Sequence, residues 1–230
     1  NFYTEQSSGR YTVAGEATDW IQVGNHLTYD DNPDSNVWFF LRDTVNGWYT
    51  AQIAAGKTPA QINTYLTQFD KRDRYDYNGN GNFDEPDGYI DTFQSVHSGE
   101  GEEAGGGALG DEAIWSHSWY AYSNLIGIAG PAFNKYGGIQ IGNSNYWVGK
   151  YTIQPENGGV GVFTHEYAHD LGLPDLSATS GGENGTGFWT LMSSGSWMGD
   201  GTIDIGSKSS HMGAWEKFQL GWLNYEVARA

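Results

Sequence analysis

The chain of 230 residues contains no cysteine. This excludes disulfide staples, a thiolate metal cage and a cysteine nucleophile. Basic residues are scarce: 11 Lys and Arg face 28 Asp and Glu, a formal net charge of −17. Nucleic acid and anionic membrane surfaces repel so acidic a chain, and neither is an expected partner. No apolar run approaches the roughly 20 residues of a membrane-spanning helix. The longest, around Leu125-Ile126-Gly127-Ile128-Ala129-Gly130, is short and glycine-rich. No leader is legible at Asn1, so the chain is expected to be a mature or excised fragment.

Aromatic residues are plentiful, at 15% of the chain, with ten Trp and fifteen Tyr. They supply large burial per residue, enough for one domain of this length, single or two-lobed. Carboxylates in such excess repel one another unless ions neutralise some of them. The composition suits a soluble, secreted, extracellular protein that binds cations. Nothing suggests an obligate interface, so a monomer is expected.

Hydrophobic periodicity gives a mixed pattern. Arg10 to Val23 alternates and reads as one or two strands. Val37, Leu41, Val45 and Trp48 fall at helical spacing. Thr58-Pro59-Ala60-Gln61 is a capping box with proline at the first helical position, starting a helix that carries Ile62, Leu66 and Phe69 inward. Asp73 to Asp87 is a polar loop, Tyr89 to His97 a strand, and Glu100 to Gly110 a Gly/Glu-rich loop. Tyr146 to Ile153 reads as a strand, Val160 to Leu171 as a helix, and Ser210 to Leu220 as a last helix stopped by Gly221. Without regular strand–helix alternation, the fold class is α+β.

The most informative stretch is His165-Glu166-Tyr167-Ala168-His169-Asp170-Leu171-Gly172-Leu173-Pro174-Asp175. Two histidines four apart on a helix share one face, so both imidazoles can reach one zinc ion. Glu166 stands beside that ion and can take a proton from its water. Gly172 can leave the helix in a left-handed turn and Pro174 cannot continue it. The chain then doubles back and presents Asp175 as a third ligand. The plain alternative is a surface helix end with two ordinary histidines. Against it stands Met192 within Phe188-Trp189-Thr190-Leu191-Met192-Ser193-Ser194-Gly195, placed to form the hydrophobic floor under an extended HExxH site.

A second cation site is legible in Asp76-Tyr77-Asn78-Gly79-Asn80-Gly81-Asn82-Phe83-Asp84-Glu85-Pro86-Asp87. Asp76, Asn78 and Asn80 occupy positions 1, 3 and 5 of a calcium loop. Gly81 takes the sharp bend at 6, Asn82 offers a carbonyl at 7, Asp84 stands at 9 and Asp87 closes at 12. The alternative is a solvated Asn-Gly turn cluster. Asp30, Asp31 and Asp34, like Glu100, Glu102 and Glu103, read as wet surface charge. His26, His97, His117 and His211 lack ligand spacing and read as structural.

These residues together resemble the immune inhibitor A-type secreted bacterial metallopeptidases. The resemblance spans nearly the whole chain. It runs from Ser7-Ser8-Gly9-Arg10-Tyr11-Thr12-Val13-Ala14-Gly15 through the Asn-Gly loop, Val96 to Glu103 and Ile114-Trp115-Ser116-His117. It continues through the zinc motif and Met192 to Leu220-Gly221-Trp222. It implies a metzincin-like two-lobed catalytic domain: an upper lobe, 1–172, with twisted sheet and zinc helix, and a small lower lobe, 173–230. It also implies a zymogen with a propeptide and further C-terminal domains. Ala168 stands where the family usually has Gly, the acidic loop has Asn where Asp is common, and Leu176-Ser177 replaces an acidic–aromatic pair. Glu183 is therefore the alternative third ligand, and the Gly172 turn favours Asp175. The expected function is zinc-dependent hydrolysis of a protein or peptide by a water with Glu166 as general base. The strand from Tyr89 to Val96 would pair with an extended substrate. Rival readings are a calcium-stabilised extracellular binding module with a non-catalytic zinc site, and a zinc amidase.

Overall fold

The computed structural model describes residues 1–25, 29, 36–178, 180, 185–199 and 205–228. His26, Asp30, Asp31, Asp34 and Glu183 lie outside the described residues. Among these, the helices are α1 Phe2–Gln6, α2 Asn36–Ala54, α3 Pro59–Leu66, α4 Val160–Asp170 and α5 Ala214–Gln219. The strands are β1 Gln94–His97, β2 His117–Tyr120, β3 Ile139–Gln140, β4 Trp147–Val148 and β5 Lys150–Pro155. The class is mixed α and β with small sheets. The chain divides into two compact units, one of residues 19–155 and one of residues 1–18 with 156–230.

In the unit of residues 19–155, β5 is the centre of a three-stranded sheet. β1 pairs with it in parallel, Gln94 opposite Thr152, and β2 antiparallel, His117 opposite Ile153. Residues Tyr151 to Pro155 are buried on both faces, so this strand reads as a continuous run rather than an alternation. The amphipathic pattern of α2 buries Val37, Leu41 and Val45 against Ile114, Ile139, Val148, Tyr151 and Ile153. The capping box of α3 forms as read: Gln61 N donates to Thr58 Oγ1 and Thr58 N to Gln61 Oε1. Ile62 and Leu66 are buried, while Phe69 follows in a 3₁₀ turn and is half-buried.

Three expected strands differ. No strand forms between Arg10 and Val23; residues 12–20 are exposed, and alternation without a partner ladder does not hold a strand. Between Tyr89 and His97 only Gln94–His97 is strand, because Asp91 turns its carboxylate back onto the amides of Lys71 and Arg72. Tyr146 to Ile153 splits at Gly149 into β4, which pairs with β3, and β5. A Cβ at Gly149 would lie 2.8 Å from the Tyr89 ring, a close approach only glycine permits.

The other unit has its own core, in which Tyr3, Ala168, Leu173, Leu191, Met192 and Met212 are buried together. α4 packs against the turn Ser194–Trp197. A Cβ on Gly161 would stand 2.1 Å from the Ser196 carbonyl oxygen, so the helix backbone itself touches the turn. α5 begins at Ala214 rather than Ser210. The preceding residues are tied elsewhere, Ser210 N to Gly195 O and Met212 N to Gln6 Oε1.

Candidate metal centre

α4 presents His165 and His169 on one face, with ring centroids 4.8 Å apart. The helix ends in a Schellman motif, Gly172 N to His169 O and Leu173 N to Ala168 O. Gly172 has φ +97°, a left-handed conformation that strains other residues. That turn swings Asp175 back over the helix end. Its Oδ1 lies 3.2 Å from His165 Nε2 and 3.6 Å from His169 Nε2. The next residue is pinned as well, since Leu176 N donates to Met192 O at 2.7 Å.

The donor set fits zinc. With zinc–ligand distances of about 2.0–2.2 Å, neighbouring ligand atoms of a tetrahedron lie about 3.4 Å apart. The spacings around Asp175 bracket that value. Each imidazole also has its other nitrogen committed: His165 Nδ1 to Leu191 O at 2.9 Å, and His169 Nδ1 to Leu173 O at 2.8 Å. A carbonyl only accepts, so both Nδ1 atoms carry hydrogen; each Nε2 then donates to Asp175 when its ring is protonated and offers a lone pair to a metal when it is neutral. Among the described residues, this is the only group of three or more His, Asp or Glu able to hold a metal ion. Glu166, adjacent on α4, is buried, and its charge acts on His165. Burial alone would lower the His165 pKa. The Asp175 carboxylate, Glu166 and the Leu191 carbonyl outweigh that and leave it raised. Asp175 is held below the ordinary carboxylate range, first by its hydrogen bond from His165. Met192 is fully buried in the same core as Ala168 and Leu173.

The chain matches the catalytic domain of the immune inhibitor A peptidases, family M6, through a family model that covers residues 1–223. The chain belongs to that family. It is 42% identical over 210 residues to immune inhibitor A of Bacillus thuringiensis subsp. alesti, an alignment covering 86% of this chain and 28% of that protein. It is 36% identical to the pre-pro-metalloprotease PrtV of Vibrio cholerae serotype O1, over 98% of this chain and 24% of that protein. The chain thus spans about a quarter of the length of these relatives, and within it the family match takes in both units.

The acidic loop is organised as a chain of side-chain turns. Asn78, Asn80 and Asn82 each accept from the backbone amide two residues on, and the Asp76 carboxylate accepts from Gly81 N. The three Asn amide groups converge on one point, where each donates to the Glu85 carboxylate at 2.7, 2.7 and 2.8 Å. Asp84 instead pairs with Arg72. Asp87 is turned away, its Oδ1 accepting from Tyr89 N. Burial, with the charges of Asp70, Asp73 and Asp91, pushes the Asp87 carboxyl up to about 7. The structure therefore gathers Asn78, Asn80 and Asn82 around Glu85, leaves Asp76 on the Gly81 amide, and sets Asp87 with Asp70 and Asp73. Glu85 carried no signal at its loop position and was not among the expected ligands.

The remaining described histidines have structural partners. His117 Nε2 meets Tyr151 Oη at 3.0 Å, His97 Nδ1 meets Ser98 O at 3.1 Å, and His211 pairs with Glu5. No helix among the described residues is long and apolar enough to cross a membrane.

Proposed function

We propose that this chain is a zinc-dependent endopeptidase domain acting on proteins or peptides. The observation that carries the reading is the convergence of two Nε2 atoms and one carboxylate oxygen, all within 4.8 Å of one another, beside a buried glutamate. Membership of the immune inhibitor A peptidase family supports it. His165, His169 and Asp175 would hold the ion, leaving a fourth position for water. When bound, zinc supplies Lewis-acid polarisation of the scissile carbonyl and acidifies water. Glu166 accepts the proton of the attacking water and delivers it to the leaving amine. Its burial excludes competing solvent from that exchange. Met192 supports the site from the core, packed with Ala168 beneath the helix.

The reading extends to a secreted, monomeric protein made as a zymogen, with a two-lobed metzincin-like cleft divided near Gly172. Calcium would hold the acidic loop through Asp76, Asn78, Asn80, Asn82, Asp84 and Asp87, with Asp84 leaving Arg72 and Asp87 leaving the Tyr89 amide on binding. The loop's alternating side-chain turns and the Asp76–Gly81 bond support this assignment. In the sheet, β1 is an edge strand among the described residues and offers its outer side to an extended peptide.

The test is Glu166→Gln. Zinc content should stay at the parent level while casein hydrolysis falls by about 10²–10⁴-fold. Parent-level hydrolysis by the variant would refute the assignment of Glu166. Bound zinc without hydrolysis in the parent chain would favour the binding-module reading.

A further inference from the structure

The three-residue segment Thr190-Leu191-Met192 is held by a residue outside the zinc motif. Glu216, on α5, is fully buried. Its Oε1 accepts from the Thr190 hydroxyl and, at 3.2 Å, from Met192 N. Its Oε2 accepts from Gly213 N, which caps α5. Met192 N–H and Leu191 C=O belong to one peptide group. The carbonyl side of that group accepts from His165 Nδ1. A carboxylate on the N–H of a peptide polarises its C=O and makes it a stronger acceptor. A stronger acceptor on Nδ1–H makes Nε2 a more basic ligand and fixes the ring.

The second histidine has no such support. His169 Nδ1 bonds Leu173 O, whose peptide partner is Pro174 and carries no N–H. The two imidazoles therefore have different Nδ1 partners, one a carbonyl within a charged relay and one a carbonyl of the Schellman turn. Glu216 also reaches the carboxylate ligand. It anchors Met192, whose carbonyl accepts from Leu176 N, next to Asp175.

We propose that Glu216 is a positioning residue for the metal centre, acting on His165 through the Leu191–Met192 peptide and on Asp175 through Met192 O. This rests on the zinc reading of the site. The roles of helix cap and relay are separable, because the cap uses Oε2 and the relay Oε1. Glu216→Gln keeps one oxygen that can serve Thr190 and Met192. Glu216→Ala leaves the Thr190 hydroxyl, Met192 N and Gly213 N without their acceptor. Thr190→Val removes one of the three donors and keeps side-chain volume.

The experiment measures zinc affinity by chelator competition, the visible spectrum of the cobalt-substituted protein, and the ¹⁵N imidazole signals of the metal-free protein. Glu216→Ala should bind zinc about tenfold more weakly, the low end for partners beyond the ligands themselves. It should also shift the cobalt spectrum and disturb the His165 signals more than those of His169. Glu216→Gln should lie nearer the parent, and Thr190→Val between. If Glu216→Ala does not fold, the ordering of the other two variants against the parent decides. Leu220→Ala is the control, since Leu220 packs against the same core and bonds the backbone carbonyl of Glu216 rather than its carboxylate, a contact that alanine keeps. At a matched loss of melting temperature it should keep parent zinc affinity and spectrum. An unchanged cobalt spectrum and affinity in Glu216→Ala, or an equal zinc loss in Leu220→Ala, would overturn the proposal. A parent chain that binds no zinc would instead remove the reading on which it rests.

Discussion

His165 and Asp175 form an ion pair whose pH behaviour follows from the direction of each shift. The imidazole is raised, so its contribution to stability is complete below its ordinary pKa of about 6.5 and is lost as pH rises through the raised value. The carboxylate is lowered, so its contribution is present above the ordinary value of 3.8 and is lost as pH falls through the lowered one. Zinc must displace the imidazole proton. Its affinity should therefore fall as pH drops through the raised His165 value, seen as a zinc Kd that weakens over the window from alkaline pH down to the ordinary imidazole value of about 6.5. A Kd flat across that window would contradict the assignment of His165. Gly161 makes a second residue-scale claim. With its Cβ position 2.1 Å from Ser196 O, Gly161→Ala should destabilise the metal-free protein by about 1–3 kcal/mol in chemical denaturation, despite alanine's higher helix propensity.

At the scale of elements, the acidic loop carries its own prediction. Asp87 holds its proton more tightly in the folded chain than in the unfolded one. Without a cation, stability should therefore fall as pH rises from about 4 to about 7. Asp87→Asn should flatten that slope, and calcium should cancel it in the parent. Melting curves across pH, with and without calcium, check both, and an unchanged slope in the variant would contradict the burial of Asp87 charge. The elements also show where the sequence was legible. The α4 motif, the Gly172 turn, the α3 capping box and the α2 face were readable because each rests on local spacing or on one residue's backbone freedom. The strand expected near Arg10 to Val23 failed because a strand needs a partner that propensity does not supply. The start of α5 was misplaced because long-range bonds from Gly195 and Gln6 hold residues 210–212. Glu216 and the carbonyls of Leu191 and Leu173 were invisible for the same reason. Their roles arise from contacts far apart in sequence or from backbone atoms common to every residue.

At the scale of the whole molecule, a chain of net charge −17 concentrates carboxylates where only cations or hydrogen bonds hold them. The structure uses hydrogen bonds for many of them. Asp70 and Asp91 accept from backbone amides, Glu103 binds Ser116, and Glu216 binds the turn below α4. The convergence of His165, His169 and Asp175 differs in kind, because two imidazoles whose Nδ1 atoms are already committed turn both Nε2 atoms towards one carboxylate. Such an arrangement is coherent when a divalent cation lies between them. The most direct measurement is elemental analysis of the purified chain, paired with casein hydrolysis before and after chelation. The account predicts about one zinc per chain, with hydrolysis lost on chelation and restored by zinc. A chain that hydrolyses casein equally well when stripped of metal, or that takes up no zinc, would contradict it.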